Sequence, residues 1–345
     1  MLAGIVESFA LRAGQGASEF TVLSSDPEDT RKRHGLSAVH RMRMEEVRRA
    51  IRGCDLFLSG GGSLLQDTTS VRSLLYYLWV IRIAVALRKP AMFYAQGVGP
   101  LRRRSSRLMT RLVANRVQQI TVRDPESASL LRQIGVNRPP IEVTADPAFA
   151  LSPAPSERVS ELLKEAGIGE GEKLVGIAPR PWHHRHPTLE GYAETARRVS
   201  SESGARIVLL PMQRPGDLEL CEEIARNVDG AAVIRSPLSP QEAVGITGRL
   251  SGLIAMRLHA LIFAAVAGVP MVALSYDPKV QSLMAALNQS ERSISLDQFT
   301  PAEPADRLLA ALNQHEQIQS DLRSRAAALR ESTLHNVDLG LRLGH

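Results

Sequence analysis

Short apolar runs that alternate with longer helical patterns constrain the fold of this chain more than any other feature. In the first half the runs are FTVLSS, DLFLSG, AMFYAQ, QITVRD and IEVTAD, and in the second they are LVGIAPR, RIVLLPM, AAVIRS, LSGLIAM, PMVALSY and RSISL. Each run is continuous and does not alternate with polar residues, which is typical of strands covered on both faces. Helical patterns between such strands predict an α/β protein with parallel sheets.

The stretch DPAFALSPAPSERV, from Asp146 to Val159, marks the predicted boundary between two domains. Its three prolines disfavour regular structure, and a length of 345 residues fits two domains better than one. We therefore predict two Rossmann-like domains that face a cleft. They comprise residues 1–152 and 153–345. For the last helix, packing back on the first domain is an alternative.

The composition limits the classes of function. Aromatic residues make up only 4% of the chain, which disfavours stacking on nucleic-acid bases, and no nucleic-acid partner is predicted. The formal charge of +6 suits anionic substrates or a membrane surface. The two cysteines have no metal-ligand spacing and fit a cytoplasmic protein. The run from Leu74 to Leu87 is interrupted by Arg82 and predicts a buried helix, with a membrane-contacting face as the alternative.

The segment MRLHALIFAAVAGVPMVALSYDPKV, Met256 to Val280, places three basic groups at the ends of a buried strand–helix–strand unit. In a right-handed unit of this kind both strands end, and the helix starts, at the same edge of the sheet. Arg257, His259 and Lys279 should therefore line one edge, where open α/β sheets bind ligands. Together with the helix N-terminus they predict a phosphate site, in which the histidine could act as acid or base. The alternative is a set of ordinary solvated side chains.

Two glycine-containing turns follow strands of the first domain. In DLFLSGGGSLLQD a strand, a glycine turn and a helix are predicted, with Gly61 and Gly62 allowing close backbone approach and Ser63 placed to cap the helix. Gln96 and Gly97 form a similar turn after the next strand. These turns favour a phosphate or sugar cradle, and plain tight turns are the alternative.

The stretch ITVRDPESASLL places Arg123 and Asp124 at a strand end, just before a helix that starts at Pro125. Arg123 should then point into the cleft from the first domain. The alternative is an Arg–Asp ion pair that only braces the turn. Asp146, at the last strand end of this domain, favours a capping role.

In GIAPRPWHHRHP, Arg180 and Trp182 follow the first strand of the second domain, and Arg180 is a candidate substrate contact. The histidines at 183, 184 and 186 suggest a metal, but no carboxylate or cysteine cluster accompanies them. We therefore predict no metal site and interpret these histidines as part of a polar loop.

The motifs FLSGGGSLLQD, YAQGVGP, TVRDPES, DPAF, MRLHALIFAA and SYDPKV together resemble those of the bacterial polysaccharide pyruvyl transferases, over nearly the whole chain. The resemblance implies a fold similar to the two-domain GT-B glycosyltransferases, phosphoenolpyruvate as donor and no cofactor. It implies a lipid-linked sugar containing N-acetylmannosamine as acceptor, although some relatives act on galactose. It also implies that Arg257, His259 and Arg123 hold or act on the donor, joined by Lys279.

The start of the chain departs from this family. Members usually open with a strand and a glycine-rich turn before the first helix, whereas here Met1 already lies inside that helix. We expect the first strand of the N-terminal domain to be missing, which should leave a gap in the sheet or force repacking. A misplaced start codon or a truncated chain would account for it.

Two other functions remain open from the sequence. The first is a nucleotide-sugar glycosyltransferase of the same architecture, which would hold a diphosphate at the helix N-terminus near Leu258. The second is a non-catalytic, basic peripheral membrane protein, for which the RKRH run at 31–34 and the arginines at 102–104 are the support. For the transferase we expect a location in the cytoplasm. A location at the inner face of the cell membrane, with peripheral membrane contact, is the alternative.

Overall fold

The computed structural model describes residues 1–68, 70–182 and 187–344, and it divides into two compact units. Unit 1 is Met1–Ala150 together with Leu329–His345, and unit 2 is Leu151–Ala328. All strand pairings in both units are parallel. The prediction of an α/β protein with two Rossmann-like domains is therefore confirmed at the level of fold class.

Strands and helices alternate along unit 1. In chain order its elements are α1 (Leu2–Ala13), β1 (Thr21–Ser24), α2 (Pro27–His34), β2 (Ser37–His40), α3 (Met44–Gly53), β3 (Phe57–Gly60), α4 (Val71–Ala86), β4 (Ala91–Gln96), α5 (Arg104–Ala114), β5 (Gln119–Val122), α6 (Pro125–Gln133) and β6 (Ile141–Val143), followed by a 3₁₀ turn (Pro147–Ala150).

The main sheet of unit 1 has the order β3-β4-β5-β6. Because each crossover moves one strand in the same direction, right-handed connections place α4, α5 and α6 on one side of the sheet. Leu74 and Leu131 of these helices pack with Phe93 and Ile120 of the sheet in one buried cluster. The other side of the sheet is covered by α1 and the end of the last helix.

A gap separates the first two strands of unit 1 from its main sheet. β1 pairs only with β2 among the described residues, and β3 pairs only with β4. Residues of β1, β2 and β3 line a cavity of about 1390 Å³, together with α1 residues such as Ile5 and Phe9. Among the described residues β1 and β2 therefore form a sheet of their own.

Unit 2 repeats the alternation. Its elements are α7 (Ser156–Glu165), β7 (Leu174–Ala178), α8 (Leu189–Ser203), β8 (Arg206–Leu209), α9 (Gly216–Arg226), β9 (Ala232–Val233), α10 (Pro240–Thr247), β10 (Gly252–Ala255), α11 (Leu258–Ala267), β11 (Met271–Ser275), α12 (Pro278–Ala286), β12 (Ser293–Ser295) and α13 (Ala302–Asn313), and α14 (His315–Gly344) begins in this unit and ends in unit 1.

The sheet of unit 2 has the order β12-β11-β10-β7-β8-β9. From β7 the chain builds outward to β9 and then returns to build β10, β11 and β12 on the other side of β7. The reversal lies between β7 and β10. Local signals fix the elements: Ser239 and Glu242 form a capping box at α10, and Gly268 ends α11 in the left-handed conformation.

The predicted strands are found, with β2 as an addition that the sequence did not reveal. The helix predicted in Leu74–Leu87 corresponds to α4, which starts three residues earlier and ends one residue earlier, and whose inner face is buried at Leu74, Leu78 and Ile81. Along the described residues, no helix combines the length and the apolar character that crossing a bilayer requires.

Candidate functional site

Arg180 and Arg257 flank the point at which the strand order of unit 2 reverses. Arg180 follows β7 and Arg257 follows β10, and these two strands are hydrogen-bonded neighbours. A reversal of strand order opens a crevice at the carboxyl ends of the strands, because the two flanking connections leave in opposite directions. This edge is the candidate ligand site of unit 2.

The guanidinium of Arg257 is held by an acidic side chain in the first turn of α9. Its Nε donates to Asp217 Oδ2 at 2.9 Å, its Nη2 donates to Asp217 Oδ1, and its Nη1 donates to Gln213 Oε1 at 3.0 Å. The side chain of Asp217 is 1% exposed, and its Oδ2 also accepts from the backbone N–H of Gln213 at 2.8 Å. This bidentate pair fixes the orientation of Arg257 and neutralises much of its charge.

His259 and Lys279 share the same sheet edge. His259 lies in the first turn of α11, which starts directly after Arg257, and its ring centroid is 6.3 Å from that of Phe263. Lys279 lies in the first turn of α12, where its backbone N–H donates to the Asp277 side chain at 2.9 Å. Both residues are half-buried. Arg257, His259 and Lys279 therefore all follow the carboxyl ends of β10 and β11.

Two aromatic rings hold Arg180. Its Nη1 donates to the hydroxyl of Tyr276, and its Cζ lies 4.6 Å from the Tyr276 ring centroid and 5.6 Å from that of Trp182. The two ring centroids are 4.8 Å apart. Among the described residues Arg180 takes part in no salt bridge, so its charge is compensated by ring faces and not by a carboxylate. The contact with Tyr276 was not predicted, although the position of Tyr276 directly after β11 was the available signal.

Tyr192 is buried next to the backbone at this edge, where the Arg180 N–H donates to its hydroxyl at 3.5 Å. It is 2% exposed, and its hydroxyl lies 2.8 Å from the Met256 sulfur. Burial raises the pKa of the Tyr192 phenol above its usual range, which keeps it neutral. A neutral, buried phenol thus adjoins the backbone of Arg180 and the side chain of Met256, which precedes Arg257.

Arg123 forms the corresponding centre in unit 1. Its Nη1 donates to Asp146 Oδ2 at 2.5 Å, and its Nη2 donates to Ser63 Oγ at 3.1 Å. The Arg123 and Asp146 side chains are 8% and 5% exposed. Gly97 lies against this group, since a Cβ at that position would be 3.1 Å from Arg123 Nε. The loops after β3, β4, β5 and β6 thereby meet at one edge of the main sheet.

The remaining predicted contacts of unit 1 differ in access. Gly61 and Gly62 have φ values of +85° and +105°, which a side chain would strain, and both are partly exposed. Gln96 is fully buried, and its Oε1 accepts from Ser59 Oγ at 3.3 Å. Its role as a substrate contact stays a prediction, which its burial disfavours.

Two local interpretations of unit 1 are wrong. Ser63 does not cap a helix, because α4 starts at Val71 and Ser70 is its cap. Arg123 does not pair with Asp124, whose side chain instead accepts from the N–H of Ser127 at the start of α6. Asp146 does cap, through the N–H of Ala148 at 3.0 Å, and it is also the ion-pair partner of Arg123.

The histidines predicted to form a polar loop, at positions 183, 184 and 186, lie outside the described residues. Within 1–68, 70–182 and 187–344, no three His, Cys, Asp or Glu side chains are grouped closely enough to hold a metal ion.

The motifs that supply these edges match a family model. The model for polysaccharide pyruvyl transferase matches residues 10–278, which is most of the chain. The chain belongs to the polysaccharide pyruvyl transferase family. The matched range includes Arg123, Arg180, Arg257 and His259, and it ends one residue before Lys279. No curated protein matches the chain in sequence.

Solved structures show how this pyruvyl transferase chain folds. A UDP-GlcNAc 2-epimerase from Neisseria meningitidis bound to UDP-GlcNAc is 12% identical, with a TM-score of 0.61 over 99% of this chain and 97% of that one. A glycosyltransferase from Rickettsia africae is 10% identical, with a TM-score of 0.65 over 99% and 94%. At such identities the similarity concerns the fold alone, and it confirms the predicted GT-B-like class.

Proposed function

We propose that this member of the family transfers pyruvate from phosphoenolpyruvate to a sugar of a lipid-linked cell-wall polysaccharide precursor, as a cyclic ketal. Two sugar hydroxyls replace the phosphate on C2 of the donor. One hydroxyl proton ends on C3, which becomes a methyl group, and the other leaves with phosphate. The observation that carries the proposal is the arrangement of Arg180, Arg257 and His259 at the strand-order reversal of unit 2.

The donor carries a phosphate and a carboxylate, and the unit 2 edge offers cations for both. Three N–H groups of Arg257 donate to Asp217 and Gln213, which leaves its other N–H groups for an anion. Arg180 lies between two rings and forms no salt bridge among the described residues, and Lys279 lies at the start of α12, where the helix N-terminus adds partial positive charge. These groups would stabilise the charge that develops on the departing phosphate.

His259 is the group proposed to move protons. It occupies the first turn of α11, next to the N–H groups on which a phosphate would rest. An imidazole there can exchange a proton with phosphate or with a sugar hydroxyl near neutral pH, because its ordinary pKa lies close to that range. Protonation of C3 gives an oxocarbenium-like centre at C2, to which the hydroxyls add in turn.

Unit 1 is proposed to contribute Arg123 to the donor and its glycine turn to the acceptor. Arg123 is oriented by Asp146 and Ser63 as Arg257 is oriented by Asp217. Gly61 and Gly62 leave backbone exposed where a sugar could approach. We propose an amino sugar on a lipid carrier as acceptor, which would bring the cytoplasmic enzyme to the inner face of the cell membrane.

Phosphate release from phosphoenolpyruvate, with mass spectrometry of the product from a library of lipid-linked disaccharides, tests the reaction. His259→Ala should lower the rate by about 10²–10⁴. His315→Ala, which changes a histidine at the start of α14, is the matched control and should keep the wild-type rate. Pyruvyl transfer by His259→Ala at near wild-type rate would remove the proposed role.

Arg257 has a matched control variant at the other end of β10. Arg257 follows β10, whereas Arg249 precedes β10 and is exposed at the opposite edge of the sheet. Arg257→Met should lose about 10²–10³ in rate and Arg249→Met none. Equal losses of rate in both variants would show that the reaction depends on the net charge of the protein and not on an arginine at the carboxyl ends of the strands.

Ligand stabilisation separates this donor from a nucleotide. A ligand at 100 times its Kd should stabilise the folded protein by about 2.7 kcal/mol. We expect phosphoenolpyruvate to raise the Tm of the wild type and to have less effect on Arg257→Met. Stabilisation by UDP alone would instead favour a nucleotide-sugar glycosyltransferase.

A further inference from the structure

The positive charge of this chain is concentrated in one segment of unit 1. Residues 68–123 contain eleven Lys and Arg and no Asp or Glu, whereas the whole chain has a formal net charge of only +6. The rest of the chain is therefore net acidic. This segment includes α4 and α5 in full.

The same two helices expose large apolar side chains. Leu75 and Trp79 on α4 are 41% and 38% exposed, and Leu108 and Leu112 on α5 are 53% and 54% exposed. The spacing within each pair is four residues, so each pair lies on a single face of its helix. We call these four residues the apolar face.

The apolar face belongs to one layer of helices. α4 connects β3 to β4 and α5 connects β4 to β5, and the strands lie in that order in the main sheet. The two helices therefore lie side by side on one side of the sheet, and they pack against each other. Their inner residues contribute to the same core, so the exposed residues share the outer surface of the layer.

Arginines border the apolar face. Arg104, Arg107 and Arg111 are exposed along α5 at spacings of three and four residues, which forms a row beside Leu108. Arg107 and Arg111 also line a hollow of about 250 Å³ between α5 and α6, with Leu130 among its other lining residues. No carboxylate in the described part of the chain forms a salt bridge with any of these three guanidiniums. An anionic partner could therefore neutralise them.

Charge and apolarity together select the partner. Nucleic acid would satisfy the arginines, but it would leave the exposed leucines against phosphates or water. A bilayer satisfies both, because leucine side chains enter the acyl boundary, a tryptophan such as Trp79 suits the interface, and guanidiniums contact lipid phosphates. We propose that the apolar face and its bordering arginines bind the surface of an anionic lipid bilayer, as a peripheral contact.

Co-sedimentation with vesicles tests the surface and requires neither donor nor acceptor, so its failure would leave the proposed reaction untouched. The full-length chain should sediment with vesicles of mixed phosphatidylglycerol and phosphatidylcholine. It should bind vesicles of phosphatidylcholine alone much more weakly, and added salt should release it. Equal binding to both kinds of vesicle, or to neither, would overturn the proposal.

Matched variants localise the contact. The double variant Leu108→Ser, Leu112→Ser should lower the partition coefficient roughly 10- to 30-fold. Leu11→Ser changes a leucine on α1 that is 47% exposed and should have no effect. The three leucines are exposed and bury little surface on folding, so each variant should fold. Circular dichroism checks this. Equal losses at Leu11 and at the apolar face would contradict the assignment.

The arginine row has its own comparison. Arg107→Ala and Arg111→Ala should each lower binding to anionic vesicles roughly 5-fold, whereas Arg249→Ala in unit 2 should not. Single-stranded DNA that bound with similar affinity and displaced the protein from vesicles would identify a nucleic-acid surface and overturn the membrane proposal.

Discussion

The ion pair between Arg257 and Asp217 gives the sharpest test of how the candidate site is built. Asp217→Ala would remove a carboxylate that is 1% exposed and leave a guanidinium whose side chain is 16% exposed. It would also remove the acceptor for the Gln213 N–H. Breaking a buried pair by removing one partner costs about 3–5 kcal/mol. Because Arg257 keeps some access to water, we expect about 3 kcal/mol.

The measurement should report on unit 2 alone. The chain has two tryptophans, Trp79 in unit 1 and Trp182 in unit 2. In a Trp79→Phe background, urea unfolding followed by tryptophan fluorescence therefore monitors unit 2. A free energy of unfolding for Asp217→Ala within about 0.5 kcal/mol of its parent would refute the structural reasoning, since that is the range of surface substitutions.

A double variant distinguishes a lost interaction from an exposed charge. Arg257→Met alone should also destabilise, because it leaves a buried carboxylate uncompensated. Arg257→Met combined with Asp217→Leu should recover most of the loss, since both charges are then gone and similar volume is retained. Additive losses in the double variant would mean that the two side chains do not act as a pair.

Three further predictions concern other parts of the chain. Gly97→Ala would place a Cβ 2.8 Å from Ser63 Oγ and should destabilise unit 1 by about 1–3 kcal/mol, whereas a Cβ at Gly53 meets nothing within 4 Å. In a Trp182→Phe background, Trp79 fluorescence during thermal unfolding compares the two variants. Burial opposes ionisation of Asp67, but two backbone N–H groups and further partners lower its pKa below the ordinary 3.8. The ionised form therefore stabilises the fold above that pH, and the stability difference between the wild type and Asp67→Asn should shrink as the pH falls below it. Cys221 is fully buried, and burial raises the pKa of its thiol. In the folded protein at neutral pH, no more than one of the two cysteines should therefore react with a thiol reagent. Rapid modification of both cysteines would contradict this.

Much of the framework could be predicted because local patterns and topology carry it. Continuous apolar runs identified the strands, and the rule of right-handed crossovers placed Arg257, His259 and Lys279 at one edge before any coordinates. β2 was missed because Ser37–His40 is short and has polar residues at both ends, so it lacks the apolar continuity of the other strands.

Side-chain partners could not be predicted in the same way. Arg123 pairs with Asp146, which is 23 residues away, and not with the adjacent Asp124. An arginine side chain is long and flexible, and the carboxylate that it reaches depends on how the loops after separate strands are arranged. Distance along the sequence gives no information on that arrangement. The Tyr276 contact with Arg180 spans 96 residues and was hidden for the same reason.

The gap beside β3 has a consequence for handling the protein. Among the described residues β3 pairs on one side only, and a strand of that kind is a template for an extended chain that reaches its other side. Concentrated or warmed solutions should therefore aggregate first through Phe57–Gly60, and a proline there would slow assembly by removing a hydrogen-bond donor from the border.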